Sequence, residues 1–281
     1  MIYSGEILLM TATINPGNTQ FLEIRDSSER LFQYICSIIS WIEMTNIDKI
    51  VFCENSNACY NFDRIINFAS SRGKKLEVLV FNNNRNAQRF GKGYGEGEIV
   101  EYAIKNSKFL SKKDNSNVCF YKITGRIFVS NFEKIRQAHL NSANVFRIPG
   151  WLEQDNSSLI NYSKHNFANN FRKKIQHFNR YLTSFDSASF REPSGSNSNA
   201  YTVFYKCNVD FYRKNLMNSY KKVRDKWGYW LEHAFYDDLV GKDFELFSEE
   251  PQVVGRSGSS GAFLSDFDFV DKVKKLAESF I

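Results

Sequence analysis

The sequence predicts an α/β protein built on a mainly parallel, Rossmann-like sheet flanked by helices, with a more helical C-terminal part. Three observations predict it. Apolar runs of strand length alternate with helical patterns through the first 150 residues. The early strands end in small polar residues, as they do where a parallel sheet opens onto a ligand crevice. Finally, 281 residues at 42% hydrophobic content provide the core of one large domain.

The first apolar run, Ile7 to Thr13, stops at the Asn15-Pro16-Gly17 turn signal. Asp26-Ser27-Ser28-Glu29 has the form of a capping box, and Leu31, Ile35, Ile38, Ile39 and Ile42 follow on one helical face. Lys49 to Cys53 is a second strand ending in Glu54-Asn55-Ser56. A helix over Tyr60 to Ser71 stops at Gly73, and Leu76 to Phe81 is a third strand ending in Asn82, Asn83 and Asn84. Strand, helix, strand, helix, strand implies right-handed parallel crossovers. Three polar strand ends, Thr11 and Thr13, Glu54 and Asn55, and Asn82 to Asn84, then line one crevice.

Phe90 to Asn131 organises the rest. Four of the 15 glycines (Gly91, Gly93, Gly95, Gly97) cluster here, in GKGYGEGE, ahead of a helix expected over Glu96 to Asn106. Read as a loop, Gly93, Tyr94, Gly95 and Glu96 would offer backbone N–H groups to an anion at a helix start. The spacing is neither GxGxxG nor a P-loop. A fourth strand, Val118 to Ile123, runs into Lys122-Ile123-Thr124-Gly125-Arg126, which adds cations to the same neighbourhood. Asn131 to His139 is expected to be helical and Asn144 to Ile148 a strand, closed by Pro149-Gly150.

From Trp151 the composition changes. Phe167, Phe171, Ile175, Phe178 and Leu182 recur at helical spacing, with Lys164, Arg172, Lys173, Lys174 and Arg180 between them. Such a helix packs on a core, or lies on an anionic membrane surface. Ser187 to Asn199 lacks periodicity and is of a composition suited to a lid. Then come a strand at Tyr201 to Tyr205, a helix over Val209 to Arg224, and an aromatic, acidic helix over Trp227 to Val240. A strand at Phe244 to Phe247, a Gly/Ser loop carrying Arg256 and Ser257, and a helix from Asp266 close the chain.

Net charge is +6, a mild excess that suits phosphate-bearing ligands or an anionic surface, and no nucleic-acid recognition motif is present. The five cysteines have neither CxxC spacing nor a histidine cluster, which excludes a zinc framework and points to a reducing cytoplasm. No run approaches a membrane span, and the first residues make a poor signal peptide. There is no GxSxG and no HExxH. Candidate acids and bases are Glu54, Glu96, Glu232 and the Asp237/Asp238 pair. Glu232 and His233 stand beside Trp227 and Trp230, and a carboxylate buried against aromatic rings is readied as a base. Asp238 sits near a helix C-terminus, a poor electrostatic place for an acid, which suggests a use beyond helix stability.

The order of these parts over residues 1 to 265 resembles the GT-A fold of glycosyltransferases, in particular small bacterial enzymes of capsule, O-antigen or lipopolysaccharide assembly. The resemblance implies a nucleotide-sugar-binding half at 1–150 and an acceptor-side, helical part of the same domain at 151–281. It implies that Ile7 to Thr13 and Glu54-Asn55-Ser56 hold the nucleotide. The end of the fourth strand would meet the diphosphate, and Glu232 to Asp238 would supply the base, with Glu232, His233 and Asp238 as catalytic candidates. Donor contacts would include Lys122, Thr124, Gly125, Arg126, Arg256 and Ser257. The partners implied are a nucleotide-sugar donor and a glycan or lipid-linked glycan acceptor, with peripheral contact at the inner face of the membrane and no nucleic acid. Where the family carries its Asp-x-Asp metal motif, this chain has Lys-Ile-Thr-Gly-Arg. No cofactor is therefore expected, with Lys122 and Arg126 neutralising the leaving phosphate in place of a metal. The other function class the sequence leaves open is a non-catalytic nucleotide- or glycan-binding protein on the same scaffold.

Overall fold

The computed structural model describes residues 5–111, 118–148, 199–258, 260–263 and 268–281. The helix expected around Phe167 to Leu182 and the candidate lid, but for its last residue, lie outside these residues. Strand β1 (Glu6–Ala12), helix α1 (Ser27–Met44), β2 (Lys49–Glu54), α2 (Asp63–Ser71) and β3 (Lys75–Val80) follow the predicted alternation. β1, β2 and β3 pair in parallel. At the start of α1 the Asp26 carboxylate accepts the Glu29 N–H at 2.7 Å. α2 is followed by Gly73 at φ 72°, a left-handed position that suits glycine.

The chain then crosses back over the sheet. After α3 (Arg85–Phe90) and α4 (Lys92–Asn106), β4 (Cys119–Thr124) pairs in parallel with the free side of β1. β5 (Phe128–Val129), α5 (Phe132–Ala138) and β6 (Val145–Phe146) come next, then β7 (Phe204–Asn208) and α6 (Val209–Asn215). The remaining elements are α7 (Leu231–Leu239), β8 (Glu245–Leu246), β9 (Val253–Val254) and α8 (Asp271–Glu278). The seven-stranded sheet has the order β3-β2-β1-β4-β7-β6-β8. β7 is antiparallel to its neighbours β4 and β6. β5 and β9 form a separate antiparallel pair. Strand order reverses between β1 and β4, so a crevice opens beyond their carboxyl ends.

Both faces of the sheet are buried, as a largely parallel sheet requires. Leu8, Met10 and Ala12 of β1 pack with α1 and α8, while Ile7 and Leu9 face α4 and α7. Cys36, Cys53, Cys119 and Cys207 are buried thiols, and Cys59 is exposed.

Three expectations are corrected. The glycine cluster is not a loop: α4 begins at Lys92, so Gly93, Gly95 and Gly97 lie inside the helix. They serve close packing. A Cβ at Gly95 would stand 2.6 Å from the Ala87 Cβ, and one at Gly97 2.1 Å from the Tyr220 Cβ. The strand expected at Tyr201 to Tyr205 falls three residues later, because Lys206 is buried on β7 and held by Glu6, 2.7 Å away on β1's first turn of chain. The helix expected over Val209 to Arg224 ends at Asn215 and gives way to 3₁₀ turns at Ser219–Lys222 and Asp225–Trp227. These turns carry Tyr220 and Asp225 onto the glycine side of α4.

Helix propensity alone would favour alanine over glycine at position 97 by about 1 kcal/mol. Overpacking against Tyr220 reverses the sign: Gly97→Ala is expected to lower stability by roughly 1–3 kcal/mol in urea denaturation.

Candidate functional site

At the switch point lies a cavity of about 180 Å³. Its floor is set where the Gly125 N–H donates to the Thr11 carbonyl at 2.8 Å, joining the ends of β4 and β1. Thr11, Thr13, Thr124 and Arg126 line it from those strand ends, and Glu96 and Lys92 from α4. Glu232 enters from α7, Thr202 from the approach to β7, and Ser257 from the loop after β9. The β5–β9 pair brings that last loop in. Gly255 sits at φ 123°, where a Cβ would stand 2.7 Å from the Arg126 carbonyl.

Lys122 lies beneath the cavity and is 1% exposed. Its Nζ pairs with the Glu96 carboxylate and donates to the Thr202 carbonyl at 2.6 Å. The Thr124 hydroxyl donates to Glu96 at 3.2 Å, and the Thr202 hydroxyl donates to Glu232 at 3.0 Å. The two carboxylates of the cavity are thus linked through one lysine and one threonine. Lys122 already has a counter-ion inside the protein.

Arg126 differs. It is buried, its Nη1 donates to Gln33 Oε1 at 2.8 Å and to the Arg256 carbonyl at 3.3 Å, and its Nε has no partner among the described residues. Burial, first of all, holds its guanidinium below the usual arginine range, and the charge of Arg30 acts in the same direction. Arg30, also buried, donates to the Thr13 and Ile24 carbonyls at 2.7 and 3.0 Å and to the Tyr34 hydroxyl at 3.3 Å.

Other candidates lie elsewhere. Glu54 is fully buried and accepts the N–H groups of Ile14 and Ser56 at 3.0 and 2.8 Å, tying together the loops after β1 and β2. Asn55 accepts the Thr13 hydroxyl at 2.7 Å, and the Ser56 hydroxyl accepts the Asn15 N–H at 2.9 Å. These three residues shape the crevice from behind. Gly93 packs on Leu231, and Tyr94 packs edge-on against Tyr220. The N–H of Lys92 at the head of α4 is taken by Asp225 at 2.9 Å, so an internal carboxylate stands where an anion was expected. His233 accepts the Trp230 N–H at its own helix start, 3.1 Å away. Asp238 accepts from Ser219 at 2.7 Å and pairs with Lys222, which anchors a 3₁₀ turn to α7. Trp227 and Trp230 are about half exposed and do not bury Glu232. Arg256 pairs with Glu29 at 2.8 Å.

Sequence reasoning missed Arg30, Thr202 and Asp225. Arg30 had a signal: it stands in the first turn of α1, where a cation meets the positive end of the helix dipole. Thr202 and Asp225 had none, since their roles depend on contacts with Lys122 and Lys92 across the chain.

No family model matches the chain, and no curated protein matches it. Among solved structures it is similar to the galactosyltransferase LgtC in complex with donor and acceptor sugar analogs. That match has 10% identity, covers 98% of this chain and 95% of that one, and has a TM-score of 0.48. An active-site mutant of LgtC matches at 11% identity over 86% and 72% of the two chains, with a TM-score of 0.42. Apo mouse xyloside xylosyltransferase 1 matches at 9% over 84% and 80%, with a TM-score of 0.33. Among the described residues no group of three or more His, Cys, Asp or Glu side chains is placed to hold a metal, and no helix is long and apolar enough to cross a membrane.

Removing Glu96 strands a buried ammonium, whereas removing Lys122 leaves a carboxylate at the cavity wall. Glu96→Gln is therefore expected to cost about 3–5 kcal/mol in chemical denaturation, and Lys122→Met less. Asp225 has its carboxyl pushed up to about 6 from an ordinary 3.8, chiefly by burial. Between those values the unfolded chain has released this proton and the folded chain retains it, so Asp225's contribution to stability falls as pH rises. Urea midpoints from pH 4 to 7 should show a wild-type loss that Asp225→Asn flattens by on the order of 2–3 kcal/mol.

Proposed function

We propose that this chain is a glycosyltransferase moving a sugar from a nucleotide-sugar donor to a glycan acceptor. The observation that carries the reading is a buried arginine, Arg126, with no carboxylate partner among the described residues, facing the same switch-point cavity as the Glu232 carboxylate. In open α/β sheets this is where nucleotides bind. The donor's phosphate lies against Arg126, in the cavity that Thr11, Thr13, Thr124 and Ser257 line. An acceptor hydroxyl attacks the anomeric carbon as the bond to the phosphate oxygen breaks. Glu232 takes the hydroxyl proton, and the phosphate leaves with the bonding electrons. A base on the acceptor side implies inversion at that carbon.

Lys122 acts here through its pair with Glu96, keeping a charged network beside the leaving group. Arginine in place of the Asp-x-Asp metal motif makes the transfer metal-independent in this reading. The acceptor is a bacterial surface glycan, free or lipid-linked, as the GT-A resemblance implies. His233 and Asp238 support α7 and its turns, and Glu232 carries the proton transfer.

Thermal-shift screening against UDP, GDP, CMP and their sugar conjugates, with turnover measured in EDTA, tests the reading. Stabilisation by one nucleotide family and turnover that survives EDTA are expected. Glu232→Gln should lower turnover about 10²–10⁴-fold while donor affinity is retained. Nucleotide binding with no turnover under any condition would instead identify a binding module.

A further inference from the structure

Residues 200–203 grip Glu232 at two points. The Ala200 N–H donates to the Glu232 main-chain carbonyl at 3.0 Å, and the Thr202 hydroxyl donates to its Oε1 at 3.0 Å. The same stretch is fixed from its other side. The Thr202 carbonyl accepts from Lys122 Nζ at 2.6 Å, and the Val203 carbonyl accepts the Thr124 N–H at 3.0 Å. The Tyr201 N–H donates to the Arg147 carbonyl at 2.8 Å. Thr202 is 2% exposed, whereas Glu232 is partly exposed and opens on the cavity. A β-branched side chain has few rotamers at χ1, so the direction of the Thr202 hydroxyl is narrowly set. One residue thus meets the buried ammonium through its carbonyl and the cavity carboxylate through its side chain.

We infer that Thr202 is a positioning residue for the proton transfer, acting through Glu232. The inference rests on the glycosyl-transfer reading and deepens it. The bond to Oε1 fixes the tilt of the carboxylate, and Oε2 is left to take the proton of the attacking hydroxyl. The grip at Ala200 holds the main chain of Glu232, and the grip at Thr202 holds its reacting end. A base that loses its orientation slows the chemical step and leaves the donor's own contacts intact, so the effect falls on kcat and not on donor KM.

The test compares Thr202→Val with Thr202→Ser in the full chain. Release of free nucleotide is followed from UDP-, GDP- and CMP-sugars, with water as the acceptor. Valine keeps the branched shape and loses the hydroxyl; serine keeps the hydroxyl and loses a methyl group. A purely packing role makes serine the worse of the two, and a positioning role makes valine the worse. Thr202→Val is expected to lower kcat about 10–100-fold with donor KM within about twofold, and Thr202→Ser to stay within about threefold of the wild type. With Glu232→Gln already in place, Thr202→Val should cost no more than about a further twofold, because no base remains to be positioned. If the valine variant does not fold, Thr202→Ala against Thr202→Ser makes the comparison, since those two differ by the hydroxyl alone. Unchanged kcat in a folded valine variant, a raised donor KM in place of a lowered kcat, or a serine variant as slow as valine would overturn the inference and leave the transferase reading standing. No nucleotide release by the wild type from any of these sugars would sink the transferase reading, and this inference with it.

Discussion

A lysine buried in the middle of the sheet sets the terms for everything around it. Lys122 on β4 is nearly inaccessible, and its ammonium must meet an opposite charge or destabilise the fold. Glu96 supplies that charge from α4. For a glutamate on a helix to reach a lysine inside a strand, helix and sheet must be held in tight register. Gly95 and Gly97 flank Glu96 and let α3 and the Tyr220 turn press close on the same helix. The carbonyl of Thr202 completes the ammonium's shell and fixes the approach to β7, and its hydroxyl reaches Glu232. One buried cation thus couples α4, β4, β7 and α7.

The two ends of the central strands treat charge differently. At the start of β1, Glu6 sits between Lys206 at 2.7 Å and Arg136 at 2.5 Å, and also accepts the Tyr121 hydroxyl at 3.2 Å. Those cations are matched internally, and that end reads as architecture. At the carboxyl ends of β1 and β4, Arg30 and Arg126 donate, among the described residues, to carbonyl, hydroxyl and amide oxygens. These two guanidiniums lie at the end where an open α/β sheet places its crevice. Glu54, fully buried behind the crevice, holds the two strand-end loops so that the cation wall keeps its shape.

Much of this was legible in the sequence where a signal was local. The alternation of apolar runs located β1 to β4, and the Asp26 cap placed the start of α1. The polar end of β1, with Arg126 and Glu232, pointed to residues that do meet in one cavity, while Glu54, Asn55 and Ser56 stand behind it. What failed depended on distant partners. A glycine run looks the same whether it bends a loop or thins a helix, and Tyr220 and Ala87 decided the matter. β7 was misplaced because Lys206 hides a buried strand until Glu6 is known to stand beside it. Propensity and periodicity carry no information about such pairings.

The antiparallel insertion of β7 also bears on how a nascent chain must proceed. β1 to β4 are complete by residue 124, but the outer edge of β4 pairs with residues 204–208 and the cavity wall closes only with the loop beyond Val254. The Glu29–Arg256 contact spans 227 positions. Until those later segments emerge from the ribosome, β4 presents an unpaired hydrogen-bonding edge, the kind of surface that invites misassociation. Closure of the site is then a late, non-local event, joining segments whose loop-closure entropy is lost before their contacts reward it.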